Sequence, residues 1–191
     1  DKIFYMPTKT STSPLLLSLD LADGEKTAIS IFTSMTPKAN APVIIVLPAM
    51  GVRAAYYQTF AESMTEKGAH VITADHRGLG HSSVRASRKT DFGYYDILAY
   101  DLPTILNVVK QHFANHPIYL MGHSLGGHLA ILYAALHPKQ LQGLLFVAAG
   151  SPYYKGWGKS APLYWIATQS FYLISKILGY FPGKFVGFGG K

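Results

Sequence analysis

Cysteine is absent from the 191 residues. That excludes a disulfide framework and a thiolate metal site, and it removes one sign of a secreted protein. Acidic residues are missing from half the chain. All ten Asp and Glu lie between Asp1 and Asp101, where ten Lys and Arg balance them; residues 102–191 hold seven lysines and no acid. The net charge of +7 therefore belongs to the second half, which reads as part of a longer chain with its acidic remainder elsewhere. Those lysines (Lys110, Lys139, Lys155, Lys159, Lys176, Lys184 and Lys191) are scattered, not striped, which argues against nucleic acid as a partner. The one basic cluster, residues 85–89, is short, has serines around it and reads as a solvated loop. No H-E-x-x-H or similar carboxylate–histidine spacing occurs, so no metal and no other cofactor is expected, and His76 and His81 read as loop histidines. No cleavable leader is visible before the first strand pattern. A cytoplasmic location is the expectation, with a few residues preceding Asp1. There is no internal repeat.

What is present is a core. Apolar residues make up 49% of the chain, enough for one domain and too many for disorder. Two short β patterns, residues 15–21 and 26–32, flank Ala22-Asp23-Gly24, and Asp-Gly between apolar runs predicts a hairpin. Residues 35–42 form a loop. Val43 to Leu47 is a β-branched run suited to a strand buried on both faces, and it leads into Pro48-Ala49-Met50-Gly51. A helix with Tyr57, Phe60, Ala61 and Met64 on one face should end at Lys67-Gly68. A short strand over 71–74 precedes Asp75-His76-Arg77-Gly78-Leu79-Gly80-His81-Ser82. Leu98, Leu102, Ile105 and Val109 mark a further helix, with Pro103 either in its first turn or kinking it. Strands over 118–121 and 144–148 bracket one more helix. Alternating strands and helices at short spacing predict a mostly parallel sheet with helices on both faces. Its site should lie beyond the carboxyl ends of the strands, in the loops after Leu47, Ala74, Met121 and Ala148.

The densest signal sits in one of those loops. Gly122-His123-Ser124-Leu125-Gly126 fits G-x-S-x-G, preceded by a strand and followed by a helix, as a nucleophile elbow requires. By itself the pattern should arise by chance in roughly one chain in twenty of this length, so the flanking elements carry the weight. Leu125, Leu129, Leu132 and Leu136 recur at helical spacing from the serine onward, and His137-Pro138 ends the run. A serine on a tight turn projects its hydroxyl above the sheet, and glycines two positions either side leave room where strand and helix meet.

After Ser151 the composition changes. Residues 152–158 are rich in Tyr, Trp and Gly, and residues 161–178 form a long apolar helix pattern. Thr168, Gln169, Ser170, Ser175 and Lys176 interrupt it, so no transmembrane segment is expected. It reads first as an amphipathic lid over the active edge and second as a surface for docking. Residues 179–191 are glycine- and aromatic-rich.

With these residues in place the chain resembles an α/β-hydrolase of the serine-aminopeptidase-like or lysophospholipase-like kind. The resemblance rests on PAMGV, DHRGLGHS, GHSLGG and, least specifically, SPYY. It implies residues 1–150 as the N-terminal part of the hydrolase core and 151–191 as the start of a cap. It also implies Ser124 as nucleophile, with the backbone N–H groups of Met50 and Leu125 as an oxyanion hole. The family's usual His-Gly-x is Pro48-Ala49-Met50 here, but the role belongs to the main chain. His123, Tyr153 and Trp157 would line the substrate pocket. Asp75 and Arg77 are expected to pin backbone amides or pair together.

The triad order for this fold is Ser, then Asp or Glu, then His. No acid follows Ser124, and the only later histidines are His128 and His137, both on the following helix. The expected acid and histidine therefore fall beyond residue 191, and the chain reads as truncated before the last strands. The implied activity is hydrolysis of a carboxylic ester of a small, lipid-like acyl substrate. Amide hydrolysis and a non-catalytic binding module are the alternatives.

Overall fold

The computed structural model describes residues 13–183 apart from 37, 152 and 182; residues 184–191 of the glycine-aromatic run lie outside the described residues. Six strands form one sheet: β1 (Leu15–Asp20), β2 (Lys26–Phe32), β3 (Val43–Leu47), β4 (His70–Ala74), β5 (Ile118–His123) and β6 (Gly143–Val147). Their spatial order is β1-β2-β4-β3-β5-β6. The β1–β2 hairpin joins β4 antiparallel, while β4, β3, β5 and β6 run parallel. The hairpin turn closes through the Gly24 N–H on the Leu21 carbonyl at 3.0 Å, with φ +87° at Gly24.

Every residue of β3 and β4 is buried, as continuous apolar runs in a parallel sheet require. Alternation splits the core in two. Val43, Ile45 and Leu47 point into a cluster with Leu102, Leu106, Leu129 and Tyr133. Ile44 and Val46 point to the other face, with Val71, Tyr57 and Ala61. The first face is covered by α3 (Leu102–His112) and α4 (Leu125–Leu136), the second by α1 (Gln58–Glu66), which a 3-10 turn (Ala54–Tyr57) introduces. The α1 helix stops where Lys67-Gly68 predicts. Gly68 takes φ +95°, and the Ala69 N–H reaches back to the Met64 carbonyl at 3.0 Å.

Pro103 sits in the first turn of α3. It is preceded by a short turn, α2 (Tyr94–Asp96), and a π-helical turn (Ile97–Asp101) that carries the buried Asp101. In α4 the leucine stripe is only partly the core face. Leu129, Ala130 and Tyr133 are buried, whereas Leu132 and Leu136 are exposed. The helix packs through its small residues, so its leucines on the far side stay in solvent.

The last helix, α5 (Ala161–Leu178), has the predicted limits, but no residue in it is buried. It packs chiefly on the 3-10 turn Tyr154–Ser160 and is held at its far end by Arg88, whose Nε donates to the Leu178 carbonyl at 2.8 Å. The expected lid over the active edge is thus a helix standing off the sheet.

Candidate active site

β5 runs two residues further than the apolar pattern suggests, through Gly122 and His123, and the chain reverses into α4 at Ser124. Ser124 has φ 51° and ψ −112°, a strained backbone for a residue with a side chain. Its N–H is fixed to the Val147 carbonyl at 2.9 Å, and its own carbonyl accepts the Gly127 N–H at 2.9 Å. A serine at a helix N-terminus ordinarily spends its hydroxyl capping the first turn. Here the side chain makes no cap, and the half-buried hydroxyl is left without a partner among the described residues.

The glycines of the motif are steric. A Cβ on Gly122 would overlap the Gly126 carbonyl and the Gly127 Cα; one on Gly126 would run into the Leu47 and Pro48 carbonyls. One on Gly127 would strike the Ala149 side chain. The first turn of α4 therefore sits directly against the end of β3 and the start of the loop that holds Met50. Leu125, first in the helix, has no carbonyl four residues back to receive its N–H. The Met50 N–H has no backbone acceptor among the described residues, and the Met50 side chain is exposed.

Three buried side chains hold this loop. Tyr57 accepts the Ala49 N–H on its hydroxyl at 3.0 Å, which leaves the phenolic proton to His123 Nδ1 at 2.8 Å. The network assigns His123 a protonated Nε2. Burial raises the Tyr57 pKa, keeping the phenol neutral. His76 donates from Nε2 to the Pro48 carbonyl at 2.8 Å. Its burial outweighs that bond and the nearby Asp75, and its pKa is lowered. Asp75 takes the Ala54 N–H on one oxygen at 2.8 Å and the His81 N–H on the other at 3.0 Å.

Of the expected residues, the structure gathers Ser124, Leu125 and His123 at one strand end, with the Met50 loop against them. His123 is tied to Tyr57 beneath that loop. Tyr153 and Trp157 are on the exposed 3-10 turn and its approach, Tyr153 edge-on to Tyr154 (5.5 Å between ring centres) and Trp157 tilted against Tyr164 (4.4 Å). Asp75 pins amides as expected. Arg77 does not pair with it; the guanidinium binds Asp101 (2.6 Å) and Asp23 (2.6 Å) instead. His128 gives Nε2 to the Gly150 carbonyl at 2.7 Å, and His137 stacks on Tyr133. Among the described residues no histidine bonds to Ser124, and no group of three or more His, Cys, Asp or Glu could hold a metal.

A mostly parallel sheet with a hairpin at one edge, a strained serine at the end of β5 and three glycines at the reversal are features of one hydrolase fold. The family model described as serine aminopeptidase, S33 (Hydrolase_4) matches residues 38–185. The chain belongs to this family of α/β-hydrolases.

Monoglyceride lipase of Rattus norvegicus is 30% identical over 115 residues, covering 60% of this chain and 36% of that one. The Homo sapiens enzyme is 28% identical over 113 residues. The chain thus spans little more than a third of the length of the relatives it matches. A highly thermostable carboxyl esterase from Bacillus coagulans, solved with glycerol, superposes with TM-score 0.62 at 24% identity over 71% of this chain and 44% of that one. A membrane phospholipase A gives TM-score 0.55 at 24% identity over 73% and 41%. Both structures share the fold of this S33-family chain. Sequence reasoning missed Tyr57 as a support of the elbow. Only its place on the inward face of a helix beside the loop could have signalled it.

Proposed function

We propose that Ser124 is the nucleophile of a serine hydrolase acting on carboxylic esters of small, lipid-like acyl groups. One observation carries this reading: a half-buried serine at the strand-to-helix reversal, on a backbone of φ 51° and ψ −112°, whose hydroxyl does not cap its own helix. The Ser124 oxygen attacks the ester carbonyl carbon, and the carbonyl oxygen becomes an oxyanion between the Met50 and Leu125 N–H groups. Each such donor contributes about 3 kcal/mol to lowering the barrier. Collapse expels the alcohol, which takes the proton from Ser124, and leaves an acyl-serine that water then hydrolyses. The base and its orienting acid come from outside these 191 residues, because His128 and His137 are occupied elsewhere. His123 supports the loop; Tyr153 and Trp157 belong to a cap formed from residue 151 onward. An ester is favoured over a peptide amine, since residues 102–191 offer no acid to receive an ammonium group.

Fluorophosphonate labelling of the full-length protein tests the proposal. Labelling at Ser124 that vanishes in Ser124→Ala is expected, with little or none in the 191-residue chain. No labelling at any length would identify a non-catalytic binding module. Labelling accompanied by turnover of aminoacyl amides but not of short acyl esters would replace ester by amide chemistry.

A further inference from the structure

Two hydroxyls interrupt the apolar sheet face that α1 covers. The antiparallel register of β2 and β4 sets Ser30 opposite Thr73 and Phe32 opposite Val71. Alternation puts all four on one face, where Phe32 and Val71 are buried with Ala61 of α1. Thr73 is only 2% exposed, yet neither hydroxyl has a hydrogen-bond partner among the described residues. A buried hydroxyl left unbonded is costly, and a valine would fill the same space without that cost. Both hydroxyls line a cavity of about 260 Å³ between the sheet and the 3-10 turn Ala54–Tyr57. The turn supplies Ala54 and Ala55, whose methyls leave the gap open, and Ala28 and Phe32 complete apolar walls.

Of the ionisable side chains around the cavity, Asp75 and His81 are already engaged. The Asp75 carboxylate holds the Ala54 N–H, the His81 N–H and His81 Nδ1 at 3.2 Å. Gly80 packs so closely on that carboxylate that a Cβ there would overlap it. Arg53 is different. It lines the cavity, and its guanidinium has no hydrogen bond or ion pair among the described residues. What the cavity leaves unanswered is therefore one positive charge and two hydroxyls beside apolar walls. Ser124, Leu125 and Met50 do not line it.

We propose that this cavity is a binding site for a short aliphatic monocarboxylate. The planar guanidinium of Arg53 matches the carboxylate, and the Ser30 and Thr73 hydroxyls donate to its remaining lone pairs. The alkyl chain lies against Phe32 and the alanines. Inorganic phosphate has no tail for those walls, and a neutral alcohol leaves the charge of Arg53 unanswered. The site is separate from Ser124, and the proposal does not depend on the chemistry there.

Full-length protein labelled with nitrogen-15 is titrated with hexanoate, with hexanol and with inorganic phosphate. Saturable shifts of the Ser30, Ala54 and Thr73 amides are expected with hexanoate, and no saturable shift with the other two. Arg53→Gln, at an exposed position, and Thr73→Val, which keeps the shape, should each weaken hexanoate about tenfold. Thr73→Ser keeps the hydroxyl and should bind close to normally. Ser124→Ala should leave the affinity and the shifts as they are, which separates this cavity from capture of an acid at the nucleophile. Four outcomes overturn the proposal. They are no saturable shift with hexanoate, shifts confined to Leu125 and its neighbours, phosphate binding as tight as hexanoate, and an affinity that neither Arg53→Gln nor Thr73→Val alters. Amide spectra away from the cavity confirm that each variant is folded.

Discussion

Ser124 could be found from its neighbours alone, because each glycine around it answers a clash that spacing predicts. Tyr57 could not. In sequence it is one apolar member of a helix face, and its hydroxyl finds Ala49 and His123, the latter 66 residues away, only after the sheet has formed. His76 reads as a loop histidine and proves to be buried under the Pro48 carbonyl for the same reason, a partner distant in sequence. Tyr57→Phe keeps the ring in its pocket but leaves the buried Ala49 N–H without an acceptor. The expected cost is about 1–3 kcal/mol of stability, read from urea unfolding. Amide exchange at Ala49 and Met50 should quicken more than exchange in β3.

At the scale of elements, the strands were legible because a run buried on both faces has a composition no loop shares. The orientation of helices was harder. Helical spacing places leucines on one side of α4, yet closeness to the sheet demands small residues, and Gly126, Gly127 and Ala130 occupy the buried face. The π-helical turn before α3 ends two residues ahead of Pro103, the one residue of that stretch which the sequence marked as unable to donate within a helix. It carries Asp101 to Arg77, which also holds Asp23 in the β1–β2 hairpin turn, so one guanidinium ties the two elements together. Burial works against the charge on Arg77, but the hydrogen bonds and attraction of Asp101 and Asp23 outweigh it and raise its pKa. Arg77→Met removes that charge and strands the buried Asp101 carboxylate. A loss of about 3–5 kcal/mol is expected in urea unfolding, and Arg77→Met combined with Asp101→Leu should recover a good part of it.

For the whole molecule, alternating strands and helices announced the layered architecture, while the order β1-β2-β4-β3-β5-β6 depended on pairings no local pattern encodes. Acid sensitivity also belongs at this scale. His70 accepts the Ser34 N–H on Nδ1 at 3.1 Å, and burial, reinforced by His116, lowers its pKa, as burial does for His76. Both are neutral when folded and bind a proton more readily when unfolded. Their contribution is complete above the ordinary histidine value of about 6.5 and is lost as the pH falls below it. The urea midpoint should therefore be level from neutral to mildly alkaline pH and decline below it. His70→Gln should flatten part of that slope, whatever it does to the plateau.

One flank of the sheet has a consequence for handling the protein. β6 bonds to β5 on one side only, and Leu145, Phe146 and Val147 are 43%, 51% and 41% exposed, beside the equally bare Ile131, Leu132 and Leu136 of α4. Main-chain amides and carbonyls along that rim stand ready for any extended peptide that meets them, in either direction. Concentrated solutions of these 191 residues by themselves should thus self-associate rim to rim, visible as a growing low-frequency amide I band in infrared spectra. A proline at Leu145 would be expected to stop that growth.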